Sequence, residues 1–198
     1  MSYQQYQTSA FILESNASGE HSRRLTLLTR ELGLVSALAQ GLRKENSKLR
    51  FSLQPLSYAS VVLVRGRETW RVTGAIQSEH IWLRLRESQD VLALIARLSA
   101  LCRRMLHGEE ENTQLFDVLF GCISFLSEKI SLTDSELLTV EAITAARILH
   151  LLGYVRSDKK FGTLFETSGI VPELIESITK ERPSLLRTIN ASLQASHL

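Results

Sequence analysis

The pattern of hydrophobic and polar residues changes its period near Ile76. Before this point apolar residues recur at every second position, most clearly from Glu68 to Ile76, where Arg71 and Thr73 separate apolar neighbours. A period of two is typical of β-strands, whose successive side chains point to opposite faces. The pattern predicts five strands: Tyr6 to Leu13, Leu25 to Leu32, Leu34 to Ala39, Leu56 to Val64 and Glu68 to Ile76.

Glycines mark two of the predicted turns. Gly33 lies between the second and third strands and suits a tight hairpin that needs a positive φ, while Arg65-Gly66-Arg67 separates the fourth and fifth strands. Five short strands in roughly seventy residues, with one longer basic connection, predict a small closed barrel such as the OB-fold, a class that binds oligonucleotides on one face.

After Glu87 the apolar residues follow a helical period. Two stripes recur at spacings of three and four, and each predicts an amphipathic helix with one packing face. The stripes are Val91, Leu94, Ile95, Leu98, Leu101, Cys102 and Met105, and then Leu115, Phe116, Leu119, Cys122, Ile123, Leu126 and Ile130.

Capping and proline signals predict three further helices. Thr133 and Glu136 have the capping-box spacing, so a helix should begin there and end near Gly153. Two later helices are predicted, one from Pro172 to Lys180 and one that begins at Pro183, because proline suits a first helical turn.

These elements predict a β plus α fold with two domains. Residues 1–78 should form a five-stranded OB-fold that binds nucleic acid, and residues 79–198 should form an all-helical domain. Residues 153–169 are predicted to be an irregular connection within the second domain.

The charges divide unequally between the two halves. The net charge of the 198 residues is +2, but residues 1–86 contain twelve Lys or Arg and six Asp or Glu, against eleven and fifteen in residues 87–198. A nucleic acid would bind the basic half. The first residues lack a secretory signal pattern and aliphatic runs such as Val61–Val64 are far shorter than a membrane span, so a soluble cytoplasmic protein is expected.

Few residues suggest catalysis or metal binding. Cys102 and Cys122 lie on apolar helix faces, which predicts buried free thiols. The five histidines, at positions 21, 80, 107, 150 and 197, have no paired metal-ligand spacing. No nucleophile elbow, phosphate-binding glycine loop or metal motif is present, so an enzyme is the function least favoured, and no cofactor is expected.

The segment from Gly33 to Leu56 contains the most informative chemistry. Four cations fall within eight positions and are offset only by Glu45; they are Arg43, Lys44, Lys48 and Arg50. Such a loop offers cations and backbone amides without a nucleophile or a general base, which suits a polyanion. Three nearby aromatic residues have the chemistry to stack on bases, but as strand residues with apolar neighbours they are expected in the core; they are Phe51, Tyr58 and Trp70.

Short sequence fragments, in this order and spacing, resemble the RecO family of bacterial recombination mediators. The resemblance is densest over residues 10–75 and thinner in the helical half. Its fragments are Phe11-Ile12-Leu13, Gly19-Glu20-His21-Ser22, Leu27-Leu28-Thr29, the hairpin from Gly33 to Gly41, Leu49-Arg50, Leu53-Gln54-Pro55 and Leu149-His150-Leu151-Leu152-Gly153-Tyr154.

The resemblance implies a nucleoid-associated DNA-repair protein. Such a protein binds single- and double-stranded DNA with little sequence preference, anneals complementary strands, and loads RecA with RecR and single-stranded-DNA-binding protein (SSB). Arg43, Lys44, Lys48 and Arg50 occupy the positions of the family's basic loop and are the first candidates for phosphate contacts. Second-ranked candidates, on strands or turns, are Arg23, Arg24, Arg65, Arg67 and Arg71.

The resemblance also implies that the helical domain binds the acidic tail of SSB. An apolar pocket with basic residues receives the tail's carboxylate in the family. Three arginines beside apolar helix faces are the candidates here: Arg103, Arg104 and Arg147.

The sequence departs from the family pattern at several positions. Gln40 stands where many members have a lysine before the glycine that closes the hairpin, and Thr144 and Ala145 replace an aromatic and acidic pair. Many members hold a four-cysteine zinc module, whereas this chain has no cysteine beyond Cys122, so no zinc is expected. The chain is also shorter than typical members, which suggests a reduced or divergent version.

Two other functions fit the same pattern. One is a protein-interaction scaffold whose barrel no longer binds nucleic acid, which Gln40 and the modest net charge permit. The other is an RNA-binding barrel, because the fold alone does not choose between nucleic acids.

Overall fold

The structure is a computed structural model that describes residues 4–42, 47, 49–77, 85, 88–128, 132–157 and 160–195. The described residues form two compact units. The barrel unit comprises those within residues 1–87 together with Leu106–Thr113, and the helical unit comprises those within Ser88–Met105 and Gln114–Leu198. The predicted domain boundary at residue 78 stays a prediction, since residues 78–84 lie outside the described part of the chain.

Four antiparallel strand pairings and one parallel pairing close the barrel in the order β1-β2-β3-β5-β4. One parallel pairing, between β3 and β5, completes the closure through Ala37 with Trp70 and Leu38 with Arg71. A one-turn helix precedes β4, and this arrangement confirms the predicted OB-type barrel. The elements are β1 (Gln5–Ser18), β2 (Ser22–Thr29), β3 (Gly33–Ala39), α1 (Leu49–Ser52), β4 (Tyr58–Arg65) and β5 (Trp70–Gln77).

The first two strands differ from their predicted bounds. β1 continues through polar residues to Ser18, because its backbone pairs with β2 across a hairpin at Gly19, and this pairing needs no apolar side chains. β2 ends at Thr29 rather than Leu32. Thr29 Oγ1 donates to Gly33 O (2.8 Å) and accepts from Leu32 N (3.1 Å), so the three residues after Thr29 belong to the turn.

The barrel core is formed by the inward residues of all five strands and by two residues beside α1. Gly33 has a φ of 66°, which confirms the positive backbone angle predicted for that hairpin. The buried core residues are Ala10, Ile12, Leu25, Leu27, Val35, Ala37, Ala39, Leu42, Leu53, Ala59, Val61, Leu63, Trp70 and Val72.

Four α-helices and a short 3-10 helix make up the described helical unit, in agreement with the predicted fold class. The bounds are α2 (Gln89–Met105), α3 (Thr113–Glu128), α4 (Asp134–Leu151), the 3-10 helix Gly162–Phe165, and α5 (Pro172–Ala195). The predicted capping box is present, since Thr133 Oγ1 accepts from Glu136 N and Glu136 Oε2 accepts from Thr133 N.

The two cysteines are buried within these helices. Burial raises the pKa of Cys102 and the pKa of Cys122 to about 12. The two thiols therefore remain protonated at neutral pH and act as small apolar side chains of the core. None of the helices that the structure describes is long and apolar enough to cross a membrane.

The prediction of two separate last helices is wrong. Pro183 lies inside the single helix α5, although proline removes one backbone hydrogen bond and disfavours helix in the residue before it. Ile175, Ile178, Leu185 and Ile189 are all buried and keep helical spacing across the proline. The continuous apolar face therefore outweighs the local effect of Pro183.

Candidate nucleic-acid interface

A polar pocket of about 250 Å³ opens in the barrel unit between β1, β2 and α1. Its walls combine two arginines with short polar side chains and the edge of the barrel core. The lining residues are Ser15, Arg23, Leu42, Arg50, Leu53, Gln54 and Pro55.

Arg23 is fixed in this pocket by one strong contact and leaves another donor unused. Its Nη2 donates to the carbonyl oxygen of Ser15 on β1 (3.0 Å). Its Nε is buried and has no hydrogen-bond partner among the described residues. A buried donor without a partner costs about 1–3 kcal/mol, so an anion that accepted this hydrogen bond would be favoured.

The α1 helix places Arg50 in the pocket wall and exposes the neighbouring Phe51. Leu53 is 1% exposed and attaches the end of α1 to the barrel core, whereas Arg50 is exposed and Phe51 is 75% exposed. The core position expected for Phe51 is therefore wrong, because Phe51 lies on a helix and not on a strand. Trp70 and Tyr58 do pack as expected: Trp70 is 5% exposed and Tyr58 is half-buried against Phe11.

Backbone hydrogen bonds attach the segment after α1 to β1. Leu56 N donates to Ile12 O (2.7 Å) and Ile12 N donates to Ser57 O (2.9 Å). Ser57 Oγ donates to Gln54 O (2.6 Å), and Gln54 Nε2 donates to Arg50 O (2.6 Å). These bonds hold α1 against the barrel, so the exposure of Phe51 is a property of a fixed element.

Three of the four first-ranked cations, Arg43, Lys44 and Lys48, lie outside the described residues. The described residues on either side of them, Leu42 and Arg50, both line the pocket. The described residues at the two ends of this stretch therefore both lie at the pocket.

Two second-ranked arginines lie on the outer barrel face. Arg24 pairs across the sheet with Leu38, and Leu38 pairs with Arg71, so the three side chains share one face on β2, β3 and β5. Strands lie ~4.8 Å apart, which places the two arginine positions about 10 Å from each other. Both are exposed, and Arg24 Nη1 lies 3.5 Å from Ser36 Oγ.

The remaining second-ranked arginines, Arg65 and Arg67, flank the turn between β4 and β5. Gly66 N donates to Thr69 O (3.0 Å), which confirms the turn. Arg67 is exposed. Arg65 forms an ion pair with Glu109 and lies over the ring of Trp70, with 4.8 Å between its guanidinium carbon and the ring centroid.

The family model described as "Recombination protein O N terminal" matches residues 1–78. These residues contain the barrel strands and the pocket. The chain is thus similar to the RecO family, most clearly in its barrel unit.

Relatives named DNA repair protein RecO align with the chain over 70 to 185 residues. The protein from Dehalococcoides mccartyi (strain ATCC BAA-2266) is 34% identical over 185 residues, which are 93% of this chain and 64% of the relative. The protein from Alkaliphilus metalliredigens is 29% identical over 147 residues, 74% of this chain and 56% of the relative. The protein from Heliobacterium modesticaldum is 47% identical over 70 residues, 35% and 26% of the two chains. The chain thus spans less than two thirds of each of these relatives.

Arg147, one of the three arginines named for partner binding, is buried in the helical unit. It is 2% exposed, and its guanidinium donates to the carbonyl oxygens of Leu164 (2.7 Å), Ser168 (3.0 Å) and Gly169 (3.0 Å). Burial lowers its pKa to about 10, which leaves it charged at neutral pH. Arg147 therefore attaches the 3-10 helix and the segment after it to α4.

The other two arginines proposed for partner binding lie near the end of α2. Arg104 is exposed and Arg103 is half-buried. Arg104 is thus the candidate whose charge is most accessible to an acidic peptide. Among the described residues, no group of three or more His, Cys, Asp or Glu side chains is placed to hold a metal ion.

Sequence reasoning did not find the pocket as a unit. It ranked Arg23 below the loop cations and assigned no role to the side chains of Ser15 and Gln54. A signal was nevertheless present: the family fragment Leu53-Gln54-Pro55 directly follows the basic loop and supplies three of the lining residues.

Proposed function

We propose that this protein is a non-enzymatic DNA-binding mediator of recombination in DNA repair. It binds single- and double-stranded DNA, anneals complementary strands, and helps RecR to load RecA onto SSB-coated DNA. The observation that carries the proposal is the pocket of Arg23 and Arg50 at the basic loop of a RecO-type barrel.

The backbone phosphates of DNA provide the affinity in this proposal. Each phosphate that a cation contacts releases condensed counterions, so binding is strongly salt-dependent and largely independent of sequence. The guanidinium of Arg23, which lines the pocket, provides directional hydrogen bonds to one phosphate there. Arg24 follows Arg23 on β2 and lies on the outer face of the barrel. A bound DNA strand can therefore pass from the pocket onto the outer face, where Arg24 and Arg71 lie.

Annealing follows from the same chemistry. Two complementary strands repel each other through their phosphates, and bound cations reduce this repulsion without covering the base edges. The proposed contact with SSB uses a different part of the chain, the basic end of α2, where Arg104 and Arg103 receive the carboxylate of an acidic tail.

A salt series on a labelled single-stranded oligonucleotide tests the proposal. The expected result is measurable binding at low salt, with a logarithm of affinity that falls linearly with the logarithm of salt concentration. A protein with no binding at low salt would be a scaffold instead. A protein that binds RNA at least tenfold more tightly than DNA of the same sequence would be an RNA-binding barrel.

Phe51 provides a sharper test of how single strands are held. Replacement of Phe51 by alanine should weaken binding to single-stranded DNA by about 1–3 kcal/mol, because one base loses its stacking partner. Binding to a duplex should change little, since its bases are already stacked. Fluorescence anisotropy with both oligonucleotides measures the difference. Ile76→Ala, at another exposed apolar position of the barrel (76% exposed), is the matched control; equal losses in the two variants would reject stacking on Phe51.

A further inference from the structure

An acidic segment packs against the barrel. Residues Leu106–Thr113 connect α2 and α3 in sequence but belong to the barrel unit by their contacts. We call this segment the acidic strap. It contains three consecutive glutamates, Glu109, Glu110 and Glu111, all of them exposed.

The side chain of Glu109 binds one of the arginines proposed to contact DNA. Its carboxylate accepts a hydrogen bond from Arg65 Nη1. Arg65 is held on its other side by the Trp70 ring, 4.8 Å away, and Trp70 is buried in the barrel core. The strap therefore neutralises a cation whose position the barrel fixes.

The backbone of Glu110 fits closely against the β2–β3 turn. A Cβ atom at Gly33 would lie 2.1 Å from Glu110 O and 2.7 Å from Glu110 C, distances that no side chain tolerates. Gly33 thus satisfies two requirements, the positive φ of the turn and the close approach of the strap. The strap therefore contacts the barrel at two places: at the turn containing Gly33 and at Arg65, the last residue of β4.

We propose that the acidic strap is an autoinhibitory element that competes with nucleic-acid phosphates for the barrel. This inference rests on the proposed DNA binding and adds a means of regulating it. The carboxylates imitate a short run of backbone phosphates: Glu109 forms an ion pair with Arg65, and the exposed Glu110 and Glu111 follow it in the chain. Both partners of the ion pair are partly exposed, Arg65 by 52% and Glu109 by 39%, so a strand that brings several phosphates can displace the strap.

Neutralising the strap tests this inference. The variant E109Q/E110Q/E111Q should bind a labelled single-stranded oligonucleotide about fivefold to tenfold more tightly than wild type at low salt, and its salt slope should steepen by roughly 0.7, the value for one additional phosphate contact. The control E173Q/E176Q/E181Q changes net charge equally on α5, where all three side chains are exposed. Equal gains in the two variants would overturn the inference, because the gain would then follow from net charge alone.

The substitution Arg65→Ala tests whether the gain in affinity comes from release of the strap or from the change in net charge. Arg65→Ala should have little effect in wild type, where Glu109 already occupies the guanidinium, but should abolish most of the gain in the strap variant. If Arg65→Ala changed DNA affinity by the same factor in wild type and in the strap variant, the autoinhibitory role would be rejected, whereas the proposed DNA binding would not. If neither wild type nor the strap variant bound DNA at low salt, the proposed function would fail, and the inference with it.

Discussion

Changing Arg43, Lys44, Lys48 and Arg50 together to alanine should weaken binding to single-stranded DNA by roughly two to three orders of magnitude at about 0.1 M salt. The physical reason is the loss of up to four phosphate contacts, each of which contributes roughly 0.7 to the log–log salt slope on single strands. The slope should therefore become shallower by up to about 2.8. A salt series with wild type and variant measures both quantities in one experiment.

A variant with the same loss of charge elsewhere is the control. Arg104, Arg156, Lys180 and Arg187 are all exposed in the helical unit, so their joint replacement by alanine removes four cations without touching the barrel. The proposal requires a far smaller change in slope for this control. If the two variants lost the same affinity, binding would depend on net charge and the barrel loop would have no special role.

Arg147→Ala should destabilise the protein by about 3–5 kcal/mol. The substitution removes the donors for three carbonyl oxygens, those of Leu164, Ser168 and Gly169, and it leaves a cavity in α4. Urea unfolding followed by circular dichroism at 222 nm measures the change, because the helical unit dominates that signal.

The matched control for Arg147→Ala is Arg97→Ala. Arg97 also donates to one acceptor group on a neighbouring helix, the carboxylate of Glu141, but its side chain is 54% exposed. An exposed ion pair contributes less than about 1 kcal/mol, so Arg97→Ala should cost no more than that. A cost below about 1 kcal/mol for Arg147→Ala as well would show that water replaces its hydrogen bonds, and that Arg147 is not structural.

The sequence predicted what depends on local periodicity and local capping. The alternation from Glu68 to Ile76 located β5, and the capping box located the start of α4 at Thr133. Both signals act within a few residues, where side-chain direction and backbone hydrogen bonds are decided by neighbours in the chain. Strand ends were less accurate, because β1 extends through polar residues to Ser18 by pairing with β2, and β2 ends at Thr29, whose side chain bonds within the turn.

The failures have a common physical cause in contacts between distant residues. Pro183 indicates a helix start locally, but the buried face from Ile175 to Ile189 keeps α5 continuous. Arg147 looks like a surface arginine in its helix, and only the carbonyl groups of residues 164–169 explain its burial.

The candidate site shows the same limit. The cations of the basic loop could be named from sequence, but the partnership of Arg23 with Ser15 depends on the β1–β2 register. The ion pair of Arg65 and Glu109 joins residues that are 44 positions apart, and nothing in the neighbourhood of either residue indicates it.

The parallel pairing of β3 and β5 has a consequence for how the barrel opens. Among the described residues these strands pair only at Ala37 with Trp70 and at Leu38 with Arg71, whereas every other strand pair has a much longer ladder. A short ladder has few hydrogen bonds to break, so the free energy of local opening should be lowest between β3 and β5. Amide hydrogen exchange should therefore be fastest there within the barrel. A DNA strand that contacts both Arg24 and Arg71 would cross from β2 over β3 to β5. Its binding would stabilise the closed barrel, and the closed barrel would in turn favour DNA binding.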